Sequence, residues 1–255
     1  MVLLQDYNFI LSDIKEKYTK QLGNNLVGIY VHGSIAFNCF NWEKSDIDYI
    51  VVVNEPLALA EKQKLLEETV FINTQAPSKG LEMSVILKKH CQKFTYPTPF
   101  QMHFSKMHLK WWQDNPVDYC QKMNGLDIDL AAHFTIVCHK GIVLCGEEIN
   151  SVFADVNPEY YFNSIKSDIQ TSKEDIFTNP ISTVLNLCRV LAYKKDNIIL
   201  SKREGGEWGI SKLPHVYKAL IQTALSIYLT DFEEDLFIDE NIAAQFCDYM
   251  LDRIF

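Results

Sequence analysis

Apolar and polar positions follow two different periods along this chain, and the dominant period changes part-way. Tyr7, Ile10, Leu11, Ile14 and Tyr18 recur at helical spacing, which predicts an amphipathic helix with Gly23 capping its end. Leu26 to His32 (LVGIYVH) is instead a short apolar run rich in β-branched residues, interrupted by Gly33-Ser34, and Asp46 to Asn54 (DIDYIVVVN) is a second such run. Both predict strands. A helix over Leu57 to Phe71 and a third strand over Leu81 to Leu87 (LEMSVIL) follow. Strands alternating with helices through about residue 90 predict a mixed α/β domain.

After Lys106 the strand signature fades, except for a short edge strand over Ile142 to Leu144. Asn179-Pro180 supplies an N-cap residue with proline at the first helical position, and Ile181, Val184, Leu185, Cys188 and Leu191 then mark one apolar face. Further helices are expected over Leu213 to Leu229 and Asn241 to Ile254. The change in character near Val156 to Pro158 predicts an α/β domain over residues 1–157 and an all-α domain over 158–255, with no Gly/Ser-rich linker between them. No internal repeat is visible.

Charge narrows the partners. Lys plus Arg total 24 against 33 Asp plus Glu, a net charge of −9 over 255 residues. Such a surface repels the phosphate backbone that supplies most non-specific nucleic-acid affinity, so no nucleic-acid partner is expected, whereas a cationic small molecule is compatible. The seven cysteines, Cys39, Cys91, Cys120, Cys138, Cys145, Cys188 and Cys247, form no C-x-x-C pair and have no His at zinc spacing. They are expected to be buried thiols in a reducing compartment. The N-terminal stretch meets Asp6 too early for a signal-peptide core, and the most apolar segment, Leu130 to Leu144, is broken by His133, His139 and Lys140. A soluble cytoplasmic protein without membrane contact is expected.

The stretch that carries chemistry is Gly33-Ser34, then after about ten residues Ser45-Asp46-Ile47-Asp48, with Glu82 on the next strand. Residues two apart on a strand share a face, so Asp46 and Asp48 project together and repel unless a cation joins them. Mg²⁺ suits such a site, because it takes one or two carboxylates and completes its shell with water and phosphate oxygens. Glu82 joins them if the two strands are neighbours. Paired metals on clustered acids serve phosphoryl or nucleotidyl transfer, and Gly33 allows close approach of a phosphate to the backbone beside the Ser34 hydroxyl. Neither a P-loop nor a G-x-G-x-x-G motif is present. Taken singly, G-S and D-x-D are also turn chemistry, as Asp127-Ile128-Asp129 before LAAHF illustrates; it is their order and spacing that carries the reading.

With these motifs the chain resembles the nucleotidyltransferase superfamily typified by DNA polymerase β, and within it the aminoglycoside adenylyltransferases that modify streptomycin and spectinomycin. The resemblance rests on Gly33-Ser34, Ser45 to Asp48 and LEMSVI in the first domain, and on Leu187 to Arg189, Ser201-Lys202, Trp208 and Leu213-Pro214 in the second. It implies a polymerase β-like α/β domain with a mixed sheet followed by an all-α domain that binds substrate and nucleotide. It implies two Mg²⁺ ions on Asp46, Asp48 and Glu82, with Glu82 as catalytic base. It further implies contacts to the triphosphate from Gly33, Ser34 and Ser45, and contacts to the nucleotide from Arg189, Lys202 and Tyr228 of the second domain. The expected reaction is transfer of AMP from MgATP to a hydroxyl of an aminoglycoside or aminocyclitol antibiotic, by a monomer. Arg189 lies beside the apolar stripe of its helix, where a guanidinium fork suits phosphate, and Lys202 lies in SKREGGEW, read as a loop whose glycines admit a ligand.

Two departures bear on the acceptor. Streptomycin-modifying members carry Trp in a G-E-W segment where this chain has Ser105 within QMHFS, and another Trp before the arginine helix, where SDIQTSKEDIFTNP has none. Spectinomycin rather than streptomycin is therefore the expected acceptor; Glu174 and Asp175 are candidates for its amines. The alternatives are another acceptor, such as a lincosamide or a protein hydroxyl, and a nucleotide-binding module without turnover. His103 and His133, lacking partners at ligand spacing, read as structural, and Trp111-Trp112 as packing.

Overall fold

The three apolar runs become the centre of a mixed sheet. In a computed structural model that describes residues 6–230 and 239–255, they form β1 (Leu26–Val31), β2 (Ile47–Val53) and β3 (Leu81–Leu87). The first five residues of the N-terminal stretch read above lie outside the described residues. The remaining strands are β4 (Thr98–Phe100), β5 (Met102–Phe104), β6 (Gly125–Asp127) and β7 (Ile142–Gly146). Strand order is β5-β3-β2-β1-β7, with β2 and β3 parallel and the other neighbours antiparallel. β4 and β6 form a separate two-stranded ribbon. Three short strands therefore follow where the sequence pattern predicted only β7. At three residues each they carry no readable period, and Pro99 argues locally against a strand.

Helix packing explains the unbroken apolar character of the central strands. α1 (Tyr7–Leu22) and α2 (Leu59–Asn73) cover one face, where Ile14, Tyr18, Leu65 and Ile72 meet Ile29, Tyr49, Val51 and Val85. α3 (Leu130–Lys140) covers the other, where Leu130, Phe134 and Val137 meet Tyr30, Ile50, Val52 and Ile86. Burial of each such side chain contributes about 1.5–3 kcal/mol. Only the N-terminal ends of β2 and β3, on the α3 side, carry acids in place of apolar groups.

The chain divides between Asn157 and Pro158 into two compact units. The second unit contains α4 (Pro158–Ser167), α5 (Ser172–Thr178), α6 (Pro180–Asp196), α7 (Lys202–Lys212), α8 (His215–Leu229) and α9 (Glu240–Ile254). α6 is its hub: Val184, Leu185, Leu187, Cys188, Val190 and Leu191 are fully buried, and Asn197, at φ 54°, ends the helix in the left-handed region. Asn179 occupies the N-cap position of α6 without a side-chain capping bond.

SKREGGEW is helix, not loop. Ser201 caps α7 by accepting from the Glu204 N–H at 3.1 Å, while Glu204 Oε2 accepts from the Ser201 N–H at 2.8 Å, a reciprocal capping box. Its glycines serve helix packing: a Cβ on Gly205 would stand 2.9 Å from Arg189 Cβ, and one on Gly209 2.7 Å from Cys188 Sγ. All seven cysteines are free thiols; Cys91, Cys120, Cys188 and Cys247 are buried, but Cys39, Cys138 and Cys145 are only half-buried. Among the described residues no helix is long and apolar enough to cross a membrane.

Candidate active site

Strand register brings the acids together. Parallel pairing aligns Asp48 on β2 directly with Glu82 on β3, and Asp46 lies two residues before Asp48 on the same face. One carboxylate oxygen from each of Asp46, Asp48 and Glu82 lies within 4.8 Å of the other two, and all three side chains are half-buried. Clustered, half-buried carboxylates are costly without a cation, and an all-oxygen donor set suits a hard divalent ion. Glu82 shows the cost. Burial raises its carboxyl above the ordinary range, the His133 charge opposes that, and Asp46 adds to it.

The turn after β1 closes over Asp48. The His32 N–H donates to the Asp48 carbonyl at 3.0 Å, and the chain then enters Gly33 at φ +60°. A Cβ there would lie 1.8 Å from Asp48 Oδ2, so only glycine lets the turn and the carboxylate share this space. Ser34 Oγ is buried with no hydrogen-bond partner, a condition that costs about 1–3 kcal/mol and suits a group waiting for a ligand. Ser45 differs: its Oγ accepts from the Asn41 N–H at 3.1 Å, and its own N–H donates to the Asn41 carbonyl at 2.8 Å. It therefore closes the turn that leads into Asp46.

α3 contributes a part of this face that its sequence concealed. His133 Nε2 lies 3.4 Å from Asp129 Oδ2 one helical turn earlier, and its ring packs on that of His32 with centroids 4.6 Å apart. Burial alone would lower the His133 pKa, but Asp129, then Glu82 and Asp48, raise it to about 10. His32, 3% exposed, is pushed well below the ordinary histidine value by burial and by His133. His103 pairs with Ser84 on β3, Nδ1 to Oγ 3.0 Å, and burial, then His108 and His133, lower it to about 4. Neither His103 nor His133 is thus without a partner. Asp127-Ile128-Asp129 keeps its turn role, with the Asp129 N–H donating to Asp127 Oδ1 at 2.8 Å, while Asp129 also holds His133. Trp111 and Trp112 pack against Tyr119, and Trp111 Nε1 donates to Asp118 at 2.9 Å.

In the helical unit, Arg189 Nη2 stands 3.6 Å from Asp168 Oδ2, while its Nε is buried without a hydrogen-bond partner. Lys202 opens α7, and Tyr228 is half-buried near the end of α8. Beside Arg189 lies a polar recess of about 250 Å³ lined by Asp168, Asp175, Asn179, Ser182 and Asn186, among others. The Asn186 Oδ1 is buried and has no hydrogen-bond partner. Glu174 is exposed in the first turn of α5.

Residues 151–253 match the family described as aminoglycoside adenylyltransferase, C-terminal domain. A spectinomycin 9-adenylyltransferase of Enterococcus faecalis is 23% identical over 227 residues, 86% of this chain and 86% of its own length. An enzyme of the same name from Staphylococcus aureus is 26% identical over 217 residues, 83% of this chain and 82% of its own length. The aminoglycoside (3'')(9) adenylyltransferase of Escherichia coli is 22% identical over 250 residues, 96% of this chain and 93% of its own. The second unit matches the C-terminal domain of aminoglycoside adenylyltransferases, and most of the chain is similar to enzymes of that name. The fold agrees: a crystal structure of a spectinomycin adenyltransferase from E. faecalis, solved with ATP and spectinomycin, superposes with a TM-score of 0.81 at 19% identity, covering 98% of this chain and 99% of that one.

Arg189, Lys202, Tyr228 and the polar recess all lie in the stretch matched to the aminoglycoside adenylyltransferase C-terminal domain. Sequence reasoning gave His32 no role, read Asp129 as turn chemistry and read His133 as structural, so none of the three was placed beside the acids. The available signal was the i,i+4 spacing of Asp129 and His133, which joins two polar residues across one turn of an otherwise apolar helix.

Proposed function

We propose that this protein transfers AMP from MgATP to a hydroxyl of spectinomycin or a related aminocyclitol and releases pyrophosphate. The observation that carries this reading is the convergence of Asp46, Asp48 and Glu82, beside a turn whose Ser34 hydroxyl has no partner, in a fold shared with an enzyme solved with ATP and spectinomycin. The residues fit a divalent metal, since three carboxylates already offer oxygens within 4.8 Å of one another. Asp46, Asp48 and Glu82 would hold two Mg²⁺ ions, which supply Lewis-acid stabilisation of phosphate charge.

The remaining chemistry belongs to the chain and its two substrates. Glu82, whose carboxyl burial holds above its ordinary pKa and so makes a stronger base, accepts the proton of the acceptor hydroxyl. The freed oxygen attacks the α-phosphorus in line, the bond to the β-phosphate breaks, and pyrophosphate leaves. Gly33 lets the backbone approach the triphosphate, Ser34 donates its unpaired hydroxyl, and Ser45 shapes the turn before the acids. In the helical unit, Arg189, Lys202 and Tyr228 are the residues we assign to the nucleotide; the unsatisfied Arg189 Nε supports that assignment. Asp168 and Asp175, in the recess beside Arg189, are suited to ammonium groups of the acceptor, as is the net charge of −9. The dependence on ATP fits the cytoplasm, and we assign the enzyme as a monomer.

Pyrophosphate release from MgATP, measured with spectinomycin, streptomycin, other aminoglycosides and lincosamides, tests this reading. Release is expected with spectinomycin and not with streptomycin. A protein that binds MgATP but turns over with none of these acceptors would overturn it.

A further inference from the structure

The proposed mechanism uses the acids and the Gly33-Ser34 turn but not the two histidines packed beside them. His32 is the residue from which the turn departs. Its N–H is fixed to the Asp48 carbonyl at 3.0 Å, and its ring is 3% exposed. The ring that packs on it belongs to His133 of α3, at 4.6 Å between centroids and 43° between planes. His133 is held in turn by Asp129 at 3.4 Å, and the Asp129 N–H by Asp127 Oδ1 at 2.8 Å. A continuous set of contacts thus runs from the start of α3 to the residue preceding Gly33. The turn has no slack to absorb a disturbance, because Gly33 already lies against the Asp48 carboxylate. An apolar side chain at 133 would fill the same space, but it would lack the directional bond to Asp129 that fixes the ring on His32.

We propose that His133 is a positioning residue for the nucleotide: anchored by Asp129, it clamps His32 and so holds the Gly33-Ser34 turn in the geometry that receives the phosphates of ATP. This rests on the nucleotidyl-transfer reading above. His133 need not touch ATP; it acts through His32.

Calorimetry with MgATP on the full chain, alongside steady-state pyrophosphate release with spectinomycin, tests the clamp in four proteins: wild type, His133→Ala, Asp129→Asn and the double variant. His133→Ala should weaken MgATP binding by about 10- to 100-fold, the scale of losing a hydrogen bond to a charged phosphate. The KM for spectinomycin and the melting temperature should change little. Because Asp129 acts through His133, Asp129→Asn should weaken binding in the wild-type background and add nothing to His133→Ala. His133→Gln, which retains a donor for Asp129, should recover part of the loss and carries the test if the alanine variant does not fold. Additive losses, wild-type MgATP affinity in His133→Ala, or parallel losses in acceptor KM and melting temperature would overturn the clamp. Wild-type protein that binds MgATP without turnover overturns the transfer reading and leaves the affinity ratios to decide the clamp; wild-type protein that does not bind MgATP overturns both.

Discussion

Replacing Gly33 by alanine is the most demanding single test of how the site is built. Two costs are separable. The first is backbone strain: Gly33 has φ +60°, and an L-residue there loses about 1–2 kcal/mol relative to glycine. The second is collision, since the new Cβ would stand 1.8 Å from Asp48 Oδ2. To reach ordinary contact near ~3.5 Å, the carboxylate or the turn must yield by about 1.7 Å. Metal ligation tolerates only about 0.2 Å, and a 1 Å misplacement of reacting groups costs about 100-fold in rate. Gly33→Ala should therefore lower AMP transfer by at least ~100-fold while the melting temperature falls by only a few degrees, the usual effect of one to two kcal/mol. Gly23→Ala is the matched control: its φ is +50°, but nothing lies within 4 Å of the added Cβ. It should show the strain without the loss of activity. Pyrophosphate release at saturating MgATP, with thermal melts of both variants, reads the two costs apart. Gly33→Ala activity above about a tenth of wild type would refute the claim that the turn and Asp48 are sterically locked.

Asp46→Asn should abolish transfer yet melt at or above the wild-type temperature without metal, because it removes repulsion within the acid cluster; a variant with more than about a tenth of wild-type activity would remove Asp46 from the site. Glu82→Gln should keep MgATP affinity within a few-fold and lose ~10²–10⁴ in turnover. Because the folded-state pKa of Glu82 is raised, its contribution to stability is present at low pH and lost as pH rises through that pKa, so Glu82→Gln should also stabilise the metal-free protein at neutral pH in thermal melts. Lys202→Ala should weaken MgATP binding by roughly 1.5–3 kcal/mol in calorimetry, the scale of a hydrogen bond to a charged group. His103 has the opposite linkage: its folded pKa is lowered to about 4 from an ordinary 6.5, so stability is retained above about pH 6.5 and lost as pH falls toward 4, by of order 3 kcal/mol. Chemical denaturation of His103→Gln between pH 7 and 4 should show a flatter profile than the wild type.

The strands that hold the acids were legible because their runs are long enough to carry a period; β3 has the bounds expected from LEMSVIL. β4 to β6 were not, at three residues apiece. SKREGGEW misled because adjacent glycines signal a loop in isolation, whereas here they let α7 approach the backbone of α6 at Arg189. A sequence reveals that a residue is small but not what its smallness admits. The Ser201/Glu204 capping box, three residues apart, was the countervailing sign of a helix. His133 was hidden for a different reason. It stands about fifty residues from Glu82 in an apolar helix, and only the packing of α3 over the acid-bearing face brings the two into one electrostatic neighbourhood.

The alignment of Asp48 with Glu82 makes the acid cluster and the buried core inseparable hereditary traits. A one-residue insertion within β3 before Glu82 would turn the carboxylate toward α1 and α2 and send Met83 and Val85 to the other side, removing the site and the core in one event. The same insertion in the segment Thr74 to Lys79 can be absorbed before the Gly80 carbonyl accepts the Ile47 N–H at 3.0 Å and the parallel ladder begins. Length variation among descendants of this chain should therefore accumulate between α2 and Gly80 and stop at Leu81, a boundary imposed by pleat parity before any selection on chemistry is felt.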